Sequence, residues 1–153
     1  MLPRGRRATG HRGGLAPAPL LVDSGAWIAL LSRRDQHHAE AERLFREAVT
    51  RRLPLLTTNL ILAEVHRLIL FRFGSRPAEV ALERMEARAR LSIYFAGAED
   101  HAAARGWLTR LAPHPITYAD AVSFAVMERT RCRGALAFDH DFEVAGFTRW
   151  QSA

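Results

Sequence analysis

The chain contains no lysine: all 22 of its basic residues are arginine. That excludes any mechanism needing a lysine Schiff base or a lysine phosphate ligand. It contains one cysteine, Cys132, so neither an internal disulfide framework nor a cysteine metal centre is available. One cysteine fits a reducing cytoplasm, which is the expected location, and no apolar run approaches the ~20 residues of a membrane helix, so no membrane partner is expected. What remains is a 153-residue chain with a net charge of +6. That length suits one domain with a real core. An all-arginine positive charge favours polyanionic partners, because the guanidinium fork fits phosphate oxygens in pairs.

Residues 1–19 hold four arginines, no acid and several Gly and Pro, without periodicity. They are expected to be a disordered basic tail ahead of a folded domain over 20–153. From Leu20 onward, short apolar runs alternate with helical patterns. Strands are expected at Leu20 to Val22, Leu55 to Thr57, Leu91 to Phe95, Ala135 to Phe138 and Phe147 to Trp150. Helices are expected at Gly25 to Leu31, Gln36 to Arg51 behind an Asp35 cap, Asn59 to Phe73 with Asn59 as cap, Arg76 to Arg90, Ala98 to Leu111, and from Thr117 to about Thr130. The alternation predicts an α/β fold with a mostly parallel sheet covered by helices.

Ligands of such sheets bind beyond the carboxyl ends of the strands. Asp23 follows L-L-V there, and Asp139 follows A-L-A-F, with Asp141 two residues on. Each alone is equally a cap or turn residue. Glu64 is more telling. It sits inside or beside the apolar stripe of Ile61, Val65, Leu68 and Ile69, where a carboxylate needs a partner or a cation. Asp120 forms a T-x-x-D capping box with Thr117, at the start of a helix that is apolar almost all round. Ser123 lies on nearly the same face. If these acids meet, their repulsion is severe: two carboxylates about 5 Å apart repel by roughly 3 kcal/mol at an effective dielectric of about 20. Protons or a hard cation such as Mg²⁺ or Mn²⁺ would relieve it, and such an ion also serves phosphodiester hydrolysis.

The segments L-L-V-D-S-G-A-W-I-A-L, T-T-N-L-I-L-A-E-V-H, T-Y-A-D-A-V-S-F-A-V-M and A-L-A-F-D-H-D-F-E-V-A-G-F resemble, in order, those of the PIN domain family. Within it they are similar to the VapC toxins of type II toxin–antitoxin systems. The resemblance spans about residues 20–150; the basic stretch before Leu20 departs from the pattern. It implies a Rossmann-like α/β/α sandwich and a Mg²⁺- or Mn²⁺-dependent endoribonuclease leaving 5′-phosphate and 3′-hydroxyl ends. It places Asp23, Glu64, Asp120 and Asp139 on the family's acidic cluster, as catalytic and metal-binding residues, with Asp141 a second candidate for the last position. Ser24 and Ser123 fall beside them as supporting hydroxyls. It further implies an RNA substrate, a VapB-like antitoxin and a homodimer. A PIN domain that binds or processes RNA outside any toxin system, even without catalysis, is the alternative. A receiver or haloacid-type phosphatase also gathers acids at strand ends, but it relies on the lysine that this chain lacks.

Overall fold

A computed structural model describes residues 16–151. The expected tail falls largely outside the described residues. Its last part, 16–19, is neither helix nor strand, and the Pro19 carbonyl accepts a hydrogen bond from the Arg133 amide. The strand β1 (Leu20–Val22) is buried at every position, as an apolar run without alternation requires when helices cover both faces. The chain continues through α1 (Ser24–Leu31), α2 (His38–Thr50), β2 (Leu55–Thr58), α3 (Asn59–Phe73) and α4 (Ser75–Glu86). Then come β3 (Leu91–Tyr94), α5 (Ala98–Leu111), α6 (Tyr118–Thr130), β4 (Gly134–Leu136) and the single turn α7 (Asp141–Val144).

The four strands form one sheet in the order β3-β2-β1-β4, and every pairing is parallel. The expected α/β/α architecture is therefore the observed one. The two central strands are β2 and β1, and Asp23 directly follows the end of β1. The Asp23 amide still donates to the Leu136 carbonyl, so the ladder holds the backbone of that residue.

Local chemistry moves several boundaries. Asn59 does not cap α3. Thr58 does, its hydroxyl accepting from the Ile61 amide at 3.1 Å, while the Asn59 side chain accepts from the Ala96 amide. Asp35 holds a turn instead of a cap: it accepts from the His37 amide, and the helix starts at His38. The helix expected to Arg90 stops at Glu86, and Arg90 takes a left-handed φ of 62° that turns the chain into β3. The strand expected at 147–150 reduces to one parallel bridge between Ala135 and Arg149. That bridge needs Gly134, because a Cβ there would lie 2.8 Å from the Thr148 carbonyl oxygen.

Two aromatic groups fill the layers beside the sheet. Trp27 of α1 tilts against Phe45 of α2, with ring centroids 5.1 Å apart. Phe124 of α6 lies among Trp107, Phe142 and Phe147. The helix α6 is buried without interruption from Ala121 to Met127, as its apolar circumference demands.

Candidate active site

Asp23 occupies the N-cap position of α1, yet its side chain caps nothing. Its backbone carbonyl accepts from Ala26 and Trp27 instead. A buried carboxylate (6% exposed) with no capping duty is available for other chemistry. Burial pushes its carboxyl from an ordinary 3.8 up to about 7, and the negative charges of Asp120, Glu64 and Asp139 push in the same direction; only a hydrogen bond from the Ser24 amide opposes them. Ionisation of Asp23 is therefore resisted both by lost water and by three further acids.

Those acids arrive from three separate elements. Glu64 lies on α3, one turn from the buried Ile61 and directly before the buried Val65. Its carboxyl is raised by burial and then by Asp120, against a hydrogen bond from the Ser24 side chain. Asp120 closes the capping box of α6: Thr117 Oγ1 accepts from the Asp120 amide at 3.1 Å, and Asp120 Oδ2 accepts from the Thr117 amide at 3.3 Å. The Asp120 carboxyl is raised mainly by burial, with Asp139 and Asp141 adding to it and the Thr117 hydrogen bonds opposing. One residue thus starts the helix and faces the cluster.

Asp139 lies three residues past the end of β4, more exposed than the others. It acts on both Asp23 and Asp120, so the structure brings all four expected acids within electrostatic reach. Asp141 is engaged elsewhere. Its carboxylate takes a 2.7 Å hydrogen bond from His114 Nε2, and its amide donates to Asp139 Oδ1 at 2.9 Å. Of the two hydroxyl residues, Ser24 lies near enough to Glu64 to favour its ionised form. Ser123 is 1% exposed, and its Oγ has no hydrogen-bond partner among the described residues.

The donor set fits a hard cation. It is all oxygen, it is overloaded with negative charge, and a buried hydroxyl beside it lacks a partner. The carboxylates couple without closing into a finished shell: among the described residues, no three His, Cys, Asp or Glu side chains are gathered tightly enough to hold an ion as they stand.

Residues that sequence patterns did not single out position the site. Thr57, buried in β2, donates to the Val22 carbonyl and accepts from Trp27 Nε1. It ties the residue before Asp23 to the helix after it. Thr57 sits in L-L-T-T, where a polar residue in a wholly buried strand was the available signal. Arg149 holds the other side: it donates to the Phe138 carbonyl and to Glu143, bracing the loop that carries Asp139.

Residues 20–148 match the PIN domain family. The 23S rRNA-specific endonuclease VapC20 of Mycobacterium tuberculosis (strain ATCC 25618 / H37Rv) is 34% identical over 129 residues, covering 84% of this chain and 95% of that protein. The crystal structure of Mycobacterium tuberculosis VapC20, described as a Sarcin-Ricin loop cleaving toxin, superposes with a TM-score of 0.77 at 30% identity, over 87% of this chain and 99% of that one. VapBC2 from Rickettsia felis, crystallised with a DNA fragment from its promoter, gives a TM-score of 0.62 at 11% identity, over 82% of this chain and 91% of that one; it shares the fold.

Proposed function

The chain belongs to the PIN domain family, among its VapC-type members, and from that premise we propose that it is a divalent-metal-dependent endoribonuclease and the toxin of a toxin–antitoxin pair. The observation that carries this reading is Asp23. It is a buried carboxylate released from capping, and Asp120, Glu64 and Asp139 all oppose its charge. Asp23, Glu64, Asp120 and Asp139 would hold Mg²⁺ or Mn²⁺. When bound, the ion supplies an acidified water and neutralises charge building on the phosphate. The chain's own residues do the rest. Ser24 favours the ionised form of Glu64, the buried hydroxyl of Ser123 is closed to substrate but free to hold an internal water, and the Thr57 bridge fixes the turn at Asp23. Asp139 is favoured over Asp141 as fourth ligand, since His114 already holds Asp141.

The likeness to VapC20 supports ribosomal RNA as the substrate to test first. A VapB-like antitoxin is the proposed partner. A groove of about 390 Å³ between α1, α3 and α4 suits it, lined by Ile28 and Ile69 and by Arg33, Arg34, Arg72 and Arg84. Those four guanidiniums pair with no carboxylate among the described residues. An amphipathic, acidic antitoxin segment fits that surface. The homodimer and the cytoplasmic location follow from the same family reading. Among the described residues no helix is long and apolar enough to cross a membrane.

The test is cleavage of purified ribosomal RNA with and without Mn²⁺, alongside Asp23→Asn and Asp120→Asn. Cleavage that needs the ion and vanishes in both variants supports the mechanism. Cleavage that survives both substitutions, or ignores chelator, overturns it. RNA binding without cleavage would favour a non-catalytic PIN domain.

A further inference from the structure

Two aromatic side chains stand exposed around the carboxyl end of the sheet, where the acid cluster lies. Phe95, 73% exposed, directly follows β3, and Tyr118, 43% exposed, is the first residue of α6. Tyr118 is two positions before Asp120 in the first turn of α6, so the two side chains leave the same helix end about 200° apart, separated by roughly the 10 Å width of a helix.

Tyr118 is also held. Its hydroxyl hydrogen-bonds His101 Nδ1 of α5 at 2.9 Å, and the two rings meet at 59° with centroids 5.7 Å apart. An aromatic ring kept in place at the surface loses little freedom when something flat stacks on it. One turn further along α5 from His101 lies Arg105, exposed and paired with no carboxylate among the described residues. A held ring followed by a free guanidinium matches the alternation of base and phosphate in a single strand.

We propose that Tyr118, braced by His101, is a stacking platform for an unpaired RNA base one or two nucleotides from the cleaved linkage, and that Arg105 takes an adjoining phosphate. This rests on the endoribonuclease reading. It adds a subsite that selects for single-stranded or looped RNA, because a paired base cannot present its face to the ring.

The probe is a fluorescein-labelled RNA stem-loop of the sarcin–ricin type, with single abasic replacements across its loop. It is cleaved in Mn²⁺, while intact ribosomal RNA is cleaved in parallel by the same preparation. Tyr118→Ala should raise KM about tenfold while kcat moves less than about twofold, and Tyr118→Phe should recover most of the loss. At one loop position an abasic replacement should raise KM by a similar factor in the wild type and add nothing further in Tyr118→Ala. Arg105→Ala should make the salt dependence of log KM shallower by about 0.7. Thermal unfolding of each variant at wild-type temperature separates these effects from misfolding. RNA cleavage by the wild type with no dependence on Tyr118, or an abasic penalty that persists in Tyr118→Ala, overturns the stacking site alone. Absence of cleavage of either RNA overturns the endoribonuclease reading and the platform with it.

Discussion

Replacing Asp23 by asparagine should stabilise the metal-free protein while abolishing its activity. The side chain keeps its shape and loses only its charge. In the folded chain the carboxyl titrates near 7, against 3.8 when unfolded. Its folded-state pKa is raised, so the unfolded chain gives up this proton first. Below pH 4 the wild type carries no penalty from Asp23. Between about pH 4 and 7 the penalty grows, and above 7 it levels off. At about 1.4 kcal/mol per pH unit, the full cost is roughly 4–4.5 kcal/mol as an upper bound. Asp120 and Glu64 titrate with it as one cluster, so the measured profile belongs to the group. Urea unfolding in EDTA at pH 4, 5.5, 7 and 8.5 reads it out. The advantage of Asp23→Asn over wild type should rise from near zero to about 2–4 kcal/mol across that series. Adding Mn²⁺ at pH 7 should then stabilise the wild type, by roughly 2.7 kcal/mol at a hundred times its Kd, and leave the variant nearly unmoved. A stability difference that is flat with pH, or that favours the wild type in EDTA at pH 8.5, would refute the electrostatic reasoning.

Ser123→Ala removes a buried hydroxyl with no partner, so the metal-free fold should gain about 1 kcal/mol in urea unfolding while RNA cleavage slows. Thr57→Val leaves Trp27 Nε1 without its acceptor and removes the hydroxyl that donates to the Val22 carbonyl; the expected loss is about 1–3 kcal/mol by the same assay. Gly134→Ala forces a methyl against the Thr148 carbonyl at 2.8 Å. It should cost about 1–3 kcal/mol and loosen the bridge at Arg149, visible as faster amide exchange at Ala135. Arg72→Glu together with Arg84→Glu should weaken capture of an acidic amphipathic antitoxin peptide at least tenfold in titration calorimetry and leave RNA cleavage intact.

Much of this architecture is legible because its signals are local. The strand β1 is an unbroken apolar run, and the capping box of α6 is four residues long. The acid positions are legible for a related reason: parallel strands all end at one rim, so acids just past strand ends converge without any knowledge of packing. What escapes the sequence depends on contacts between distant segments. Asn59 reads as a cap, yet its amide oxygen serves the Ala96 backbone 37 residues away, and its neighbour Thr58 takes the cap. Thr57 reads as one more strand residue until Trp27 and Val22 are seen to meet at its hydroxyl.

The choice between Asp139 and Asp141 shows the same division. In F-D-H-D-F both are loop acids beyond a strand, and spacing ranks neither. Three contacts made elsewhere separate them. His114, from the loop between α5 and α6, occupies the Asp141 carboxylate at 2.7 Å. The Asp141 amide donates to Asp139 Oδ1 at 2.9 Å and so orients it. Arg149, from beyond α7, braces the Phe138 carbonyl just before it. Asp139 is left more exposed but electrostatically joined to Asp23 and Asp120, whereas Asp141 bears on Asp120. Each residue then has a different duty: Asp139 faces the cluster, and Asp141 fastens the loop that aims it. It follows that Asp139→Asn should remove cleavage and the metal-induced rise in stability together. Asp141→Asn should keep a hydrogen-bond acceptor for His114, retain the metal response, and lower the rate only in part. If Asp141→Asn erased the Mn²⁺-dependent stabilisation and Asp139→Asn spared it, the two roles would have to be exchanged.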